Sequence, residues 1–243
     1  HHIPNVACNE FGTPLISSLF EEAEKAAVSS FMCYVNADII FLQDFMDGIN
    51  VVQKEMPNSL MVGRRWNMDI REPIEFSGNW QQSLKSLVQQ KGKLLPYFGI
   101  DYFVFPKNGL GRLPPFAIGR PAWDNWVIYK ACSSGMVVVD MTKAVTVIHE
   151  NHDYSHHPDG WKGAMKGVES KRNIALAGEV AHVHSLLDAT HYLTKSGLKK
   201  RRSPYHEPFF LYKKIVMISE SCRMAGVLVR FIKWIGDRFF SKE

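Results

Sequence analysis

No uninterrupted apolar stretch in this chain reaches the roughly 18 residues that a membrane-spanning helix needs, and no signal-peptide pattern opens it. These absences predict a soluble, cytoplasmic protein. Cysteine is scarce: Cys8, Cys33, Cys132 and Cys222 lie far apart, with no CxxC pair to suggest a metal knuckle or a redox dithiol. Cys33 and Cys132 sit in apolar or helical contexts, where a thiol packs as a small hydrophobe, so reduced thiols in a reducing compartment are expected. An excess of one charge is also lacking over most of the chain. The net charge of +5 is concentrated in "KSGLKKRRS" (195–203), which holds five basic residues. That pattern favours one local basic face over a general nucleic-acid binder. Internal repeats and long low-complexity segments are absent as well. The chain starts with His-His instead of Met, the expectation for a processing product, a tag remnant or an internal point of a longer protein.

What the chain does have is 243 residues, 46% hydrophobic and 22% charged, enough to bury a large core as one α/β domain or two small ones. "TPLISSLFEEAEKAAV" (13–28) opens with Thr-Pro and continues with apolar residues at helical spacing, which predicts a helix. "SFMCYVNADIIFL" (30–42) predicts a buried strand, "LQDFMDGINVVQKEM" (42–56) an amphipathic helix and "SLMVGRRW" (59–66) the next strand. A helix over 80–91 and a strand in "GIDYFVFPKN" (99–108) follow. The prolines and glycines of "GLGRLPPFAIGRP" (109–121) predict a loop. "AWDNWVIYKACSSG" (122–135) predicts a helix closed by Gly135, and "MVVVDMTKAVTVIHEN" (136–151) holds two β-branched runs. Beyond 165 the pattern turns helical, through 180–193 and into a basic amphipathic tail. Alternating helices and strands imply α/β architecture with a largely parallel sheet.

Three stretches carry chemistry. In "MCYVNADIIFLQDF" (32–45), Asn36-Ala37-Asp38 interrupts an apolar run, and an isolated carboxylate in a dry core is so costly that it is paired, protonated or given a cation. At the carboxyl end of a strand, Asn36 and Asp38 suit an oxygen-preferring ion such as Mg²⁺ or Mn²⁺; the same triplet also serves as a cap for the following helix. "VIHENHDYSHHPDGW" (147–161) gathers His149, His152, His156 and His157 with two acids between them, Glu150 and Asp153, either metal ligands or a polar surface loop. Its "HENH" does not fit the HExxH zinc-protease spacing. In "IGRPAWDNWVIYKA" (118–131), Trp123 and Trp126 flank Asp124 at a helix start: stacking faces and a proton-accepting carboxylate, or core anchors and a first-turn acid. Asp101 starts an aromatic strand. Arg64 and Arg65 end another, placed for a phosphate, a sugar hydroxyl or a surface ion pair.

Taken in order, "NEFGTPLISSLF", "CYVNADIIF", "VGRRW", "GIDYFVFP", "PPFAIGRPAWDNW", "VIHENHDYSH" and "ESKRNIALAGE" resemble a group of nucleotide-sugar-dependent glycosyltransferases of the GT-A fold, related to the family 2 enzymes. The resemblance spans about residues 5–180. It implies a GT-A-like, Rossmann-like, mostly parallel sheet flanked by helices over residues 1–180, followed by a helical C-terminal extension over 181–243. It further implies that Asn36-Ala37-Asp38 stands at the DxD position, with Asp38 and a late histidine, His149 or His152, holding Mn²⁺ or Mg²⁺ against the donor diphosphate, which Arg65 also contacts. Asp124 takes the place of the general base of inverting enzymes. Asp101 contacts sugar hydroxyls, Trp123 or Trp126 stacks on a ring, and Gly119-Arg120 shapes the acceptor loop. The implied ligands are a nucleotide-sugar donor and a glycan or other hydroxyl acceptor. The strand–helix–strand unit that opens a GT-A domain has only its end represented, in "HHIPNVACNEFGTP", which implies a fragment or a reduced nucleotide pocket with an exposed sheet edge. Two other functions stay open at this point: a GT-A-like module, weak or inactive in catalysis, that binds a glycan or a protein, and a His-rich metal hydrolase. The basic run and tail are expected either to contact an anionic membrane surface or another subunit, or to form a solvated loop and a packed helix.

Overall fold

The computed structural model describes residues 2–151, 160–178, 182 and 184–201. It divides the chain into two compact units, His1–Arg201 and Arg202–Glu243, and the architecture below is that of the first. The tail and the end of the basic run, Arg202 and Ser203, lie outside the described residues.

The elements in chain order are α1 (Ile16–Ala26), β1 (Phe31–Val35), β2 (Ile39–Phe41), α2 (Gln43–Glu55), β3 (Ser59–Val62), β4 (Trp66–Met68), α3 (Trp80–Lys91), β5 (Lys93–Leu94) and β6 (Tyr102–Pro106). Then come α4 (Trp123–Ser133), β7 (Val137–Asp140), β8 (Val147–Glu150), α5 (Gly160–Lys166), α6 (Val168–Leu176), a 3₁₀ turn (Leu186–Asp188), β9 (His191–Thr194) and β10 (Gly197–Lys200). They make an α/β fold with two mixed sheets, one of six strands in the order β1-β6-β3-β7-β9-β10 and one of four in the order β2-β8-β4-β5.

Two expected single strands are each broken in two. The run 30–42 splits at Asn36-Ala37-Asp38, leaving β1 in the large sheet and β2 in the small one. The run 59–66 splits likewise at Gly63-Arg64-Arg65, between β3 and β4. The chain crosses again from β7 to β8, and returns from β5 to β6. At such a seam the backbone leaves one ladder before it joins the next, and its polar groups need other partners. Polar side chains in the middle of apolar runs supply them: Thr142 Oγ1 accepts from the Arg64 amide at 2.9 Å.

The seam also explains why the sheet is mixed where a mostly parallel one was expected. The pairs β3/β7 and β7/β9 are parallel, but β6 runs antiparallel to both β1 and β3. It arrives from β5 in the small sheet and so enters the large sheet at the edge where β1 and β3 leave it. A helical crossover would have carried it to the opposite edge and made it parallel.

The central strands are apolar on both faces, as burial on both sides requires. Phe103, Phe105, Leu60, Val62 and Val138 face α1 and α4, packing with Ile16, Phe20, Trp123, Trp126 and Val127. Their neighbours in the alternation, Tyr102, Val104, Met61 and Val139, face α2 with Phe45, Ile49 and Val52. Leu84 and Val88 of α3 cover the small sheet on Met68 and Ile148.

A helical extension from 181 was expected, but residues 191–200 form a β9–β10 hairpin whose first strand pairs with β7. Tyr192 and Leu193 alternate with their neighbours across a sheet face, and β7 offered an open ladder to join. Cys33 also differs from expectation: it lies exposed on β1, the edge strand, while Cys132 is half-buried in α4. Among the described residues, no helix is long and apolar enough to cross a membrane.

Candidate functional site

The seam gathers Asn36, Asp38, Arg65, Asp101 and His149 among the residues singled out in the sequence. Asn36, just beyond β1, donates its backbone N–H to the Asp101 carbonyl at 3.0 Å, and its side-chain amide donates to Asp101 Oδ1 at 2.7 Å. The Tyr34 hydroxyl donates to Asn36 Oδ1 at 2.9 Å. Arg65, in the break between β3 and β4, forms an ion pair with Asp101 Oδ1 and donates from Nε to Asn67 Oδ1 at 3.0 Å. Both ends of the Asn36 amide are thus engaged within the protein, and the residue acts as a strut from Tyr34 to Asp101. An Asp at position 36 would put two carboxylates in contact there, and they would repel each other.

Asp38 follows in the turn that starts β2. The register of β2 on β8 pairs Ile39 with His149, and this brings Asp38 Oδ2 to 3.2 Å from His149 Nε2. The Glu150 amide donates to the Asp38 carbonyl at 3.3 Å, closing the turn. His149 is buried and Asp38 about one-third exposed, so the pair has one face in the protein and one in solvent.

Asp124 lies in the first turn of α4 and accepts a hydrogen bond from the Asn125 amide at 2.8 Å. Ala122 precedes the helix at φ 83°, a left-handed conformation that costs a non-glycine residue of the order of 1 kcal/mol. Burial pushes the Asp124 carboxyl up to about 6, with the negative charge of Asp101 adding to the rise and Arg65 opposing it. Asp101 is also raised, by burial first, while Arg65 pulls it part of the way back. Its Oδ2 is buried and accepts no hydrogen bond among the described residues. Burial and the charges of Asp101, Asp124 and Asp38 push the Tyr34 hydroxyl up as well. Asp101 thus feels the charges of Arg65, His149 and Asp38, and Asp124 feels those of Asp101 and Arg65.

Among the described residues no group of three or more His, Cys, Asp or Glu side chains is disposed to hold a metal ion. Asp38 and His149 offer one oxygen and one nitrogen. That donor set fits a divalent ion taking one or two protein ligands and completing its shell with phosphate oxygens and water. His152, His156 and His157 lie outside the described residues.

Other expected contacts are differently employed. Trp123 and Trp126 are both buried. Trp123 meets Tyr34 edge-on at 5.0 Å and Phe103 at 5.6 Å, and Trp126 packs on Phe116 at 5.5 Å, so they are core anchors and do not present stacking faces. Arg120 binds Glu169 Oε2 through Nε and Nη2 at 2.9 and 2.6 Å, and Asn9 donates to Glu169 Oε1 at 2.6 Å. Arg120 thus clasps its loop to α6 instead of facing an acceptor. Gly119 beside it adopts φ 69°, where a side chain would be strained. Arg64 donates from Nε to the Leu95 carbonyl and lies over the Tyr97 ring at 4.7 Å.

Sequence reasoning missed Tyr34, whose apolar neighbours hide its polar use, and the clamps on α6. Asn173, fully buried, accepts from the Ala117 amide at 2.9 Å and donates to the Ala117 carbonyl at 3.0 Å. The signal was present in "ESKRN": a helix that buries Glu169, Ser170 and Asn173 must be giving them partners. Comparisons with family models, with curated proteins and with solved structures found no match to this chain.

Proposed function

We propose that this chain is a metal-dependent glycosyltransferase that moves a sugar from a nucleotide-sugar donor to an acceptor hydroxyl with inversion. The observation that carries the proposal is the 3.2 Å approach of Asp38 to His149, two residues far apart in sequence, and the raised carboxyl of Asp124, which feels the charge of Asp101, supports it. A divalent ion held by Asp38 and His149 would supply neutralisation of the departing diphosphate. The remaining work falls to the chain. Asp124 accepts the proton of the acceptor hydroxyl as its oxygen bonds to the anomeric carbon, while the bond from that carbon to the phosphate oxygen breaks and its electron pair leaves with the diphosphate. A base with a pKa of about 6 is ionised at neutral pH yet basic enough to take a proton from a hydroxyl under attack. Asp101, held by Asn36 and Arg65, supports the seam from a buried position.

Thermal shift of the intact chain with Mn²⁺ and a nucleoside diphosphate tests this directly, since a ligand of the folded state raises the melting temperature. A shift with Mn²⁺ and UDP or GDP together, lost in Asp38→Ala, is the expected result. No response to any metal and nucleotide combination would instead support a binding module. The strut role of Asn36, which leaves one fewer oxygen for a cation, is the observation that favours that second reading.

A further inference from the structure

The small sheet has a second feature at the edge that carries Asp38. Beyond the carboxyl end of β4, the segment Asp69–Glu75 and α3 line an open cavity of about 700 Å³, within the range typical of small-molecule sites. Its apolar lining is Met68, Ile70, Ile74, Trp80, Leu84 and Leu87. Asp69, Arg71, Glu72, Glu75, Ser83 and Lys91 also line it, from exposed positions, so the lining is amphipathic. An aliphatic chain or an aromatic ring on its apolar side would gain by leaving water, while polar groups of the same ligand would find partners beside it.

The position of the cavity gives such a ligand a role. Across the small sheet the order is β2, β8, β4, so Asp38, Glu150-Asn151 and Met68-Asp69 stand side by side at one edge. The row is tied together: the Glu150 amide donates to the Asp38 carbonyl, the Asn151 amide to the Met68 carbonyl at 3.0 Å, and the Asn151 side chain to Asp69 Oδ1 at 2.7 Å. Two strand spacings, about 10 Å, separate Asp38 from the cavity entrance. One sugar ring spans much of that gap.

We infer that this cavity is the acceptor subsite of the proposed transferase and takes the apolar body, alkyl or aryl, of an amphipathic acceptor whose hydroxyl-bearing end reaches the seam. The inference rests on the transferase reading for its role, and on the cavity alone for its chemistry. Trp80, which meets the exposed Phe76 edge-on at 5.0 Å, forms the aromatic wall at the start of α3. Ser83 lines the cavity from an exposed helix position and is the place to fill it without disturbing the core.

The test is calorimetric titration of the full chain with octyl β-glucoside, below its micelle concentration, and with methyl β-glucoside. Octyl glucoside is expected to bind at least about tenfold more tightly, a difference that Ser83→Trp and Leu87→Gln each abolish. The Mn²⁺–UDP thermal shift of both variants should stay as in the parent. Equal binding of the two glucosides, or a preference for the octyl chain that survives both variants, would overturn the inference. Failure of the transferase reading is seen separately, as the absence of any Mn²⁺–nucleotide shift in the unsubstituted chain.

Discussion

At the scale of single residues, the seam converts unusual placements into measurable behaviour. Asp124 is raised to about 6 from 3.8 mainly by burial. As the proton acceptor it must be ionised, so kcat/KM should fall about tenfold per pH unit below about 6 and level off above it. Asp124→Asn should remove this limb together with most of the transfer activity while leaving Mn²⁺–UDP binding in place. A variant that kept full transfer would withdraw the base assignment. Nearby, the Tyr102 hydroxyl is buried and has no hydrogen-bond partner among the described residues, and a Cβ on Gly63 would collide with it. Tyr102→Phe should therefore be neutral or stabilising by about 1 kcal/mol, because it removes an uncompensated polar group. Gly63→Ala should cost about 1–3 kcal/mol through overcrowding. In the Tyr102→Phe background that cost should shrink, since the colliding oxygen is gone, and urea denaturation of the four proteins measures the coupling.

Among the elements, α6 is the one whose contribution is least visible from its composition. Glu169 holds Arg120 and Asn9, Asn173 holds both backbone groups of Ala117, and Arg172 pairs with Glu10. Together they fix the loop that delivers α4, and with it Asp124. Burial raises the Glu169 carboxyl, but hydrogen bonds from Thr13, Asn9 and Arg120 outweigh it and hold the group below its usual range. The Arg120–Glu169 pair is largely buried. Removing one partner leaves the other charge stranded, so Arg120→Ala should cost about 3 kcal/mol. If the role is structural, the loss should be much smaller in a Glu169→Gln background, and acceptor KM should change little in whatever enzyme remains folded. A selective rise in acceptor KM at unchanged stability would return Arg120 to the acceptor site.

At the scale of the whole first unit, the described strands pass between the two sheets six times along one chain. Neither sheet keeps its connections if the other opens, so the slowest-exchanging amides of β6 and of β8 should report the same opening free energy by native-state hydrogen exchange. A gap above about 2 kcal/mol would show separate units. Linkage adds a pH signature. The folded-state pKa of Asp124 lies above its unfolded value, so between about pH 4 and about pH 6 the folded chain binds more protons. This group's contribution therefore declines as pH rises through that window, and Asp124→Asn should flatten that part of the stability profile.

Much of this could be seen along the chain before any fold was known. The helices α1, α2, α3 and α4 follow from their spacing and breakers, and the runs around β1, β3, β6 and β7 from their apolar and β-branched composition. The placement of Asn36-Ala37-Asp38, Arg65 and Asp101 at strand ends was likewise a local matter, because polar residues within an apolar run mark where a ladder stops. The division into two sheets, the reversed direction of β6, the β9–β10 hairpin and the burial of Trp123 and Trp126 were decided elsewhere. So were the contacts of Asp38 with His149, Asn36 with Asp101 and Arg120 with Glu169. Each joins segments dozens of residues apart, and local periodicity carries no record of which distant ladder or charge a segment will meet. Sequence alone determined where the chain would need partners for its polar groups; packing of the whole chain chose the partners, because only there do register, burial and charge act on the same atoms.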